Sequence, residues 1–221
     1  MFPHTYFPPA LWLNNGTPTS ASEVLIANLA LDRLGAAVIE SFNDETKEAN
    51  VMNRWYSLTR DAKLRQFAWR FSIHREVLAA SVTAPAFGNA KAFPLPNGCL
   101  RILLPSDRVD WEIENIDSVP HLLTAYGDSV DLRFIKRVTE AAIFDPLFIN
   151  VLTLELALAT CETLTQSSAK KDGIRADLKD AFSAAKKANA FEVISKPQWV
   201  DPWLDAVQGG VYERNDLRWG V

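Results

Sequence analysis

The sequence predicts a mainly α protein: an antiparallel helical bundle with a small inserted antiparallel β-sheet and extended termini. Three observations predict it. Apolar residues recur at helical spacing from about 20 to 78 and again from about 145 to 194. Between these blocks, over about 92–138, apolar and polar residues alternate at the two-residue period of half-buried strands. At both ends the periodicity gives way to prolines and aromatic residues, which do not continue a helix. The division is an N-terminal arm (1–19), a helical-bundle domain (20–195) carrying the β insertion, and a C-terminal extended arm (196–221).

Ser20 and Glu23 have the spacing of a capping box and open the first helix. Val24, Ala27, Leu31 and Leu34 form its apolar stripe, and Gly35 stops it. A long helical region follows from about Thr46 to Leu78. Val51, Trp55, Leu58 and Ala62 recur there at intervals of four, three and four, as a core-facing stripe does. Residues 77–90 carry no charge after Glu76 and are rich in Ala, Ser, Thr and Gly, the composition of a loop. Cys99 to Leu104 reads as a strand. Val109, Trp111 and Ile113, alternating with Asp110, Glu112 and Glu114, read as another. His121–Tyr126 and Val130–Ile135 flank Gly127-Asp128, the signature of a hairpin turn. Asp145-Pro146 then caps a helix that is apolar nearly all round from Phe148 to Leu164, the mark of a buried central helix. A last helix, about Ala169 to Ile194, turns Ile174, Leu178, Ala181, Ala185, Ala188 and Phe191 inward.

A chain of 221 residues can bury about 70% of its unfolded surface, so its core needs neither disulfide nor metal. Its 23 bases and 27 acids leave a net charge of −4, against the basic balance of a dedicated DNA reader. Cys99 and Cys161 allow at most one disulfide and no thiolate cluster, and both are expected as reduced thiols. No segment has the roughly 18 uncharged apolar residues of a membrane span. Residues 1–22 carry no charge, but four prolines and the lack of a basic start argue against a signal peptide. Phe2, Tyr6, Phe7 and Trp12 give that segment aromatics that need burial, either on its own domain or on another subunit.

The chemical motifs are mostly missing. There is no Gly-x-Gly fingerprint and no Gly-x-Ser-x-Gly elbow. His4, His74 and His121 lie far apart, so no metal site and no cofactor is expected; His74 is expected on a helix surface or an interface. Glu155 and Glu162 share one side of the most apolar helix. Two turns apart, about 10.5 Å along the axis, they are spaced at or beyond the reach of a glycosidase pair. They are expected as paired carboxylates, with Arg33, Arg54 or Arg60 as partners. Asp110, Glu112 and Glu114 are expected on a solvated strand edge. Lys170, Lys171, Lys186 and Lys187 are interleaved with Asp172, Asp177 and Asp180, the pattern of a solvated helix face rather than a phosphate-binding surface.

The order of several segments is informative together. They are Leu29-Ala-Leu-Asp-Arg-Leu-Gly35, Arg54-Trp-Tyr-Ser-Leu-Thr-Arg-Asp61, Phe67-Ala-Trp-Arg-Phe71 and Phe93-Pro-Leu-Pro-Asn-Gly-Cys-Leu-Arg-Ile102. Val109-Asp-Trp-Glu-Ile113, Phe144-Asp-Pro-Leu-Phe148 and Leu154-Glu-Leu-Ala-Leu-Ala159 follow. Over roughly residues 22–195 this order resembles the tail tubular protein A family, the head-to-tail adaptors of short-tailed bacteriophages. The resemblance implies a helical bundle with an inserted sheet. It also implies a virion protein without catalytic residues: a ring of about twelve copies between portal and tail nozzle, through which genomic DNA passes during ejection. The partners so implied are the chain itself, the portal protein and the nozzle protein, with no sequence-specific DNA contact and no membrane. The ends fall outside the resemblance. Phe7, Trp12, Trp199, Trp203 and Trp219 are the candidate interface residues there, because aromatic anchors carry much of an interface's energy. Two alternative classes are a tail-associated glycan or peptidoglycan hydrolase, resting on the carboxylates, and a DNA-binding module.

Overall fold

A computed structural model describes residues 21–82, 85, 88–105, 110–125 and 127–192. Both terminal arms and their candidate residues Phe7, Trp12, Trp199, Trp203 and Trp219 lie outside the described residues, as do His4 and Ser20.

Four helices and six strands make up the described chain. The helices are α1 (Glu23–Leu34), α2 (Lys47–Gln66), α3 (Pro146–Thr165) and α4 (Ser168–Phe191). The strands are β1 (Ile73–Ala79), β2 (Lys91–Pro94), β3 (Cys99–Pro105), β4 (Trp111–Ile116), β5 (Val119–Thr124) and β6 (Ser129–Lys136). Four helices beside two antiparallel sheets make the described residues a mixed α/β fold, and the expectation of a mainly α protein is corrected. The strands fall into two antiparallel three-stranded sheets, ordered β1-β6-β3 (sheet A) and β2-β5-β4 (sheet B).

The helix ends are set locally. Ser22 caps α1, its hydroxyl accepting from the Leu25 amide at 3.1 Å, so the cap falls two residues after the expected Ser20. Gly35 ends α1 in the left-handed region at φ 67°, where a Cβ would be strained. Thr46 and Ser167 cap α2 and α4 in the same way as Ser22. Asp145 caps α3, accepting from the Leu147 and Phe148 amides at 2.7 and 3.3 Å, with Pro146 in the first turn as expected. By length and composition α3 is apolar enough to cross a membrane (mean hydropathy 1.5), which exceeds the sequence expectation. Here it is the central core helix, packed by α1, α2 and α4.

α2 stops at Gln66, twelve residues before the expected end at Leu78. The Trp69 indole folds back and its Nε1 donates to the Lys63 carbonyl at 3.0 Å, taking one of the carbonyls the helix end leaves unpaired. The chain then makes one 3-10 turn, Arg70–Ser72, and enters β1, where Ile73 and Val77 suit a pleated strand. Trp69 is 1% exposed and touches Phe67, Phe71, Phe148 and Phe182, so burial of the indole fixes the break.

The molecule stacks as helices, sheet A and sheet B. Ile135, Leu100 and Leu103 of sheet A pack against the helical core. Leu78, Ile102, Leu132 and Phe134 turn to the other face and meet Phe93 and Leu122 of sheet B. Two register shifts in β3 let it feed both cores, which hides its alternation. The Gly127-Asp128 hairpin is also corrected. Strands occur on both sides of it, but β5 pairs with β2 and β4 while β6 pairs with β1 and β3, so the segment crosses between sheets. The two-residue hairpin turn is Asp117-Ser118, both at positive φ (50° and 65°), linking β4 and β5.

Candidate functional site

Polar pairs tie the layers together before any site is formed. Arg60, 6% exposed, reaches Glu23 on α1 at 3.1 Å and Asp61 at 3.0 Å. Asp61 in turn accepts from Arg137, after β6, at 2.6 Å. Arg65 donates to the Leu100 carbonyl of β3. Beside Arg60 a hollow of about 120 Å³ is lined by Glu23, Phe42, Asn53, Tyr56 and Ser57. Burial first, and the Glu23 charge second, hold the Tyr56 phenol well above its ordinary range, and Arg60 opposes them. It stays neutral.

The two carboxylates of α3 take separate lysines, not the expected arginines. Lys63 of α2 stands 2.9 Å from Glu155, and Lys171 of α4 stands 2.5 Å from Glu162. The hydrogen bond and charge of Lys171 hold the Glu162 carboxyl below the usual carboxylate range. A glycosidase acid needs a shift in the opposite direction. The lysine face of α4 is also partly spoken for. Lys170 donates to the Leu34 carbonyl at 2.7 Å, capping the end of α1, and Lys186 lies over the Phe182 ring at 4.9 Å.

The other predicted positions are scattered. His74 is exposed on β1, not on a helix, with its ring 6.2 Å from Phe134. His121 is buried on β5, its Nδ1 2.8 Å from the Val119 carbonyl oxygen. Among the described residues no group of three His, Cys, Asp or Glu side chains could hold a metal. Both cysteines are free; Cys161 is buried, and burial pushes the half-buried Cys99 thiol up. Asp110 precedes β4, and Glu112 and Glu114 are exposed on it, with Asn89 donating to Glu112.

What the structure does bring together is apolar surface. The stripe read as core-facing on α2 is off by one position. Beside Val51, the buried set is Ala49, Met52, Tyr56, Thr59, Arg60 and Leu64. Of the expected stripe only Val51 is buried; Trp55 is 41% and Leu58 67% exposed. The presence of Arg60 in the true buried stripe disguises it in the sequence. Trp55 and Leu58, with Arg54 and Thr163, border an open hollow of about 440 Å³. A groove of about 320 Å³ runs between α1 and α3, lined by Leu29, Asp32, Arg33, Pro146, Ile149 and Asn150 among others. At the far end of α4, Phe191 is 88% exposed, against the inward orientation expected for it. Close by lies a cleft of about 230 Å³ between Trp69, Arg70, Phe71, Asp145 and Asn189. These surfaces have the character of contact faces, each apolar with a charged rim. In comparisons with known proteins, no family model and no curated protein matches the chain.

Proposed function

We propose that this chain is a structural virion protein, a head-to-tail adaptor that assembles as a ring between portal and tail nozzle and lets phage DNA pass during ejection. One observation carries the reading. α2 bears a second apolar ridge, Trp55 and Leu58, that its own fold leaves open to solvent. A ring subunit must bury surface against a neighbour on each side, and a heterologous contact of that kind closes into a ring. The order of segments that resembles the tail tubular protein A family adds support. So does the acidic net charge, since a conduit that bound phosphates tightly would hold the DNA back. The lysine-paired carboxylates Glu155 and Glu162 fit a chain without catalysis. Phe7 and Trp12 at one end, and Trp199, Trp203 and Trp219 at the other, are the proposed anchors to neighbouring subunits or portal.

Native mass spectrometry of the chain mixed with portal tests this. About twelve copies per portal are expected; one or two would sink the ring. A chain stopped after Ser195 keeps its helical circular dichroism and most of its melting temperature on this reading, yet fails to sediment with portal.

A further inference from the structure

The outer strand of sheet B is unfinished. β4 pairs with β5 on one side, and no described residue pairs with its other side. Such an edge presents a row of free backbone donors and acceptors, and proteins commonly cover or charge it. Here the edge also continues the apolar face of the sheet. Ile113 lies opposite Leu122 and Trp111 opposite Thr124. Leu122 and Thr124 are 1% and 3% exposed, while Ile113 is 50% and Trp111 38% exposed, as expected of side chains with no strand beyond them. Between them Glu112 accepts from Asn89, and beyond Ile113 Glu114 is exposed with no ion-pair partner among the described residues. An occupant must therefore be extended, apolar opposite Trp111 and Ile113, and basic opposite Glu114.

The chain itself contains such a segment. Leu217-Arg218-Trp219-Gly220-Val221 alternates apolar residues around a single arginine. Run antiparallel to β4 with Arg218 opposite Glu114, it sets Trp219 opposite Ile113 and Val221 opposite Trp111. Gly220 then faces Glu112, the acid already satisfied by Asn89. The N-terminal segment 1–19 carries no charged residue and offers no match to Glu114. Twenty-five residues separate Glu192, just past α4, from Arg218, and extended they reach up to about 80 Å. They leave from the helical layer, where Asn189 holds the Ala68 carbonyl and the Arg70 amide, while β4 is the free edge of the outermost layer.

We infer that the open edge of β4 accepts residues 217–221 from a second copy of this chain as an added antiparallel strand. The inference rests on the ring reading and names the contact that joins one subunit to the next. Each subunit then has one donor and one acceptor, a heterologous contact that propagates around a ring.

The test uses full-length chains carrying Glu114→Cys or Arg218→Cys, mildly oxidised and run without reductant. Directly opposed strand positions suit disulfide geometry. A covalent dimer is expected when the two variants are mixed and not from either alone, and a ladder is expected from the chain carrying both. Wild type and each single variant control for Cys99 and Cys161. Three results overturn the inference: no dimer in the mixture, a dimer from Glu114→Cys alone (β4 edges pairing with each other), or a doubly substituted chain that closes on itself as a monomer. Copy number on portal, read in parallel by native mass spectrometry, separates the two claims. A ring without the cross-link defeats the added strand alone; a cross-link without a ring defeats the ring alone.

Discussion

The helical layer and the sheet layers of this protein are built to different standards of burial. Among the described residues the core around α3 holds twenty-four buried apolar residues, with the rings of Phe144, Phe148, Phe71 and Trp69 in contact at centroid distances of 5.0–6.4 Å. The core between the sheets holds six, and β4 contributes none of them. A small core with an unpaired edge opens more readily than a large one closed on all sides. The helical layer is thus the larger scaffold, with the Trp55 and Leu58 ridge of α2 left exposed, and the outer sheet is the part with an unpaired edge.

The sharpest way to break that contrast is Trp69→Ala. It removes the indole from four aromatic neighbours and from the Lys63 carbonyl, and a cost of about 3–5 kcal/mol is expected. A single thermal transition lowered by roughly 10 °C or more is the expected readout for a chain this size. Leu122→Ala, in the smaller core, costs about 2–3 kcal/mol. Its effect is local: amide exchange quickens over residues 91–94 and 111–124 while α3 keeps its protection. Equal loss of protection in both layers would mean they unfold as one unit. Asp145→Ala removes the α3 cap for about 1 kcal/mol, seen as a few degrees in melting.

Trp55→Ala and Leu58→Ala sharpen the account from the other side. Leu58→Ala should stay within about 0.5 kcal/mol of wild type, since the side chain is 67% exposed, and Trp55→Ala costs more because the indole is only 41% exposed, while ring formation on portal is lost in both. The smallest expected effect is on pH dependence. Lys171 lowers the Glu162 pKa in the folded chain, so that pair's contribution is present above the usual carboxylate range and fades as pH falls through the lowered value. Both groups sit at the surface, and Lys171→Met should change the acid limb of a pH–stability curve only slightly.

Much of the helical layer is legible in the sequence because its signals are local. Asp145-Pro146 and Gly35 announce their helix boundaries, and Phe148 to Leu164 announces a buried helix. Strand pairing is not local. Val109 to Ile113 and Val130 to Ile135 show their alternation, but nothing in either says that β6 joins β1 while β5 joins β2. The long helix expected through Leu78 fails for a related reason. Trp69 ends it by finding burial against Phe148 and Phe182, residues far off in sequence. On α2 two apolar stripes compete, and the one with regular spacing is the exposed one, because Arg60 joins the buried stripe through its pairs with Glu23 and Asp61. The exposed apolar ridge therefore reads in the sequence as a core stripe.

The most direct measurement of the central claim, that these apolar surfaces are subunit contacts, is hydroxyl-radical footprinting of the free chain and of the chain assembled on portal. The account predicts that Trp55, Leu58, Trp111 and Ile113 are oxidised in the free chain and protected in the assembly, while Val77, 66% exposed on β1, is modified equally in both. Unchanged oxidation at Trp55 and Leu58 in the assembled state would contradict it.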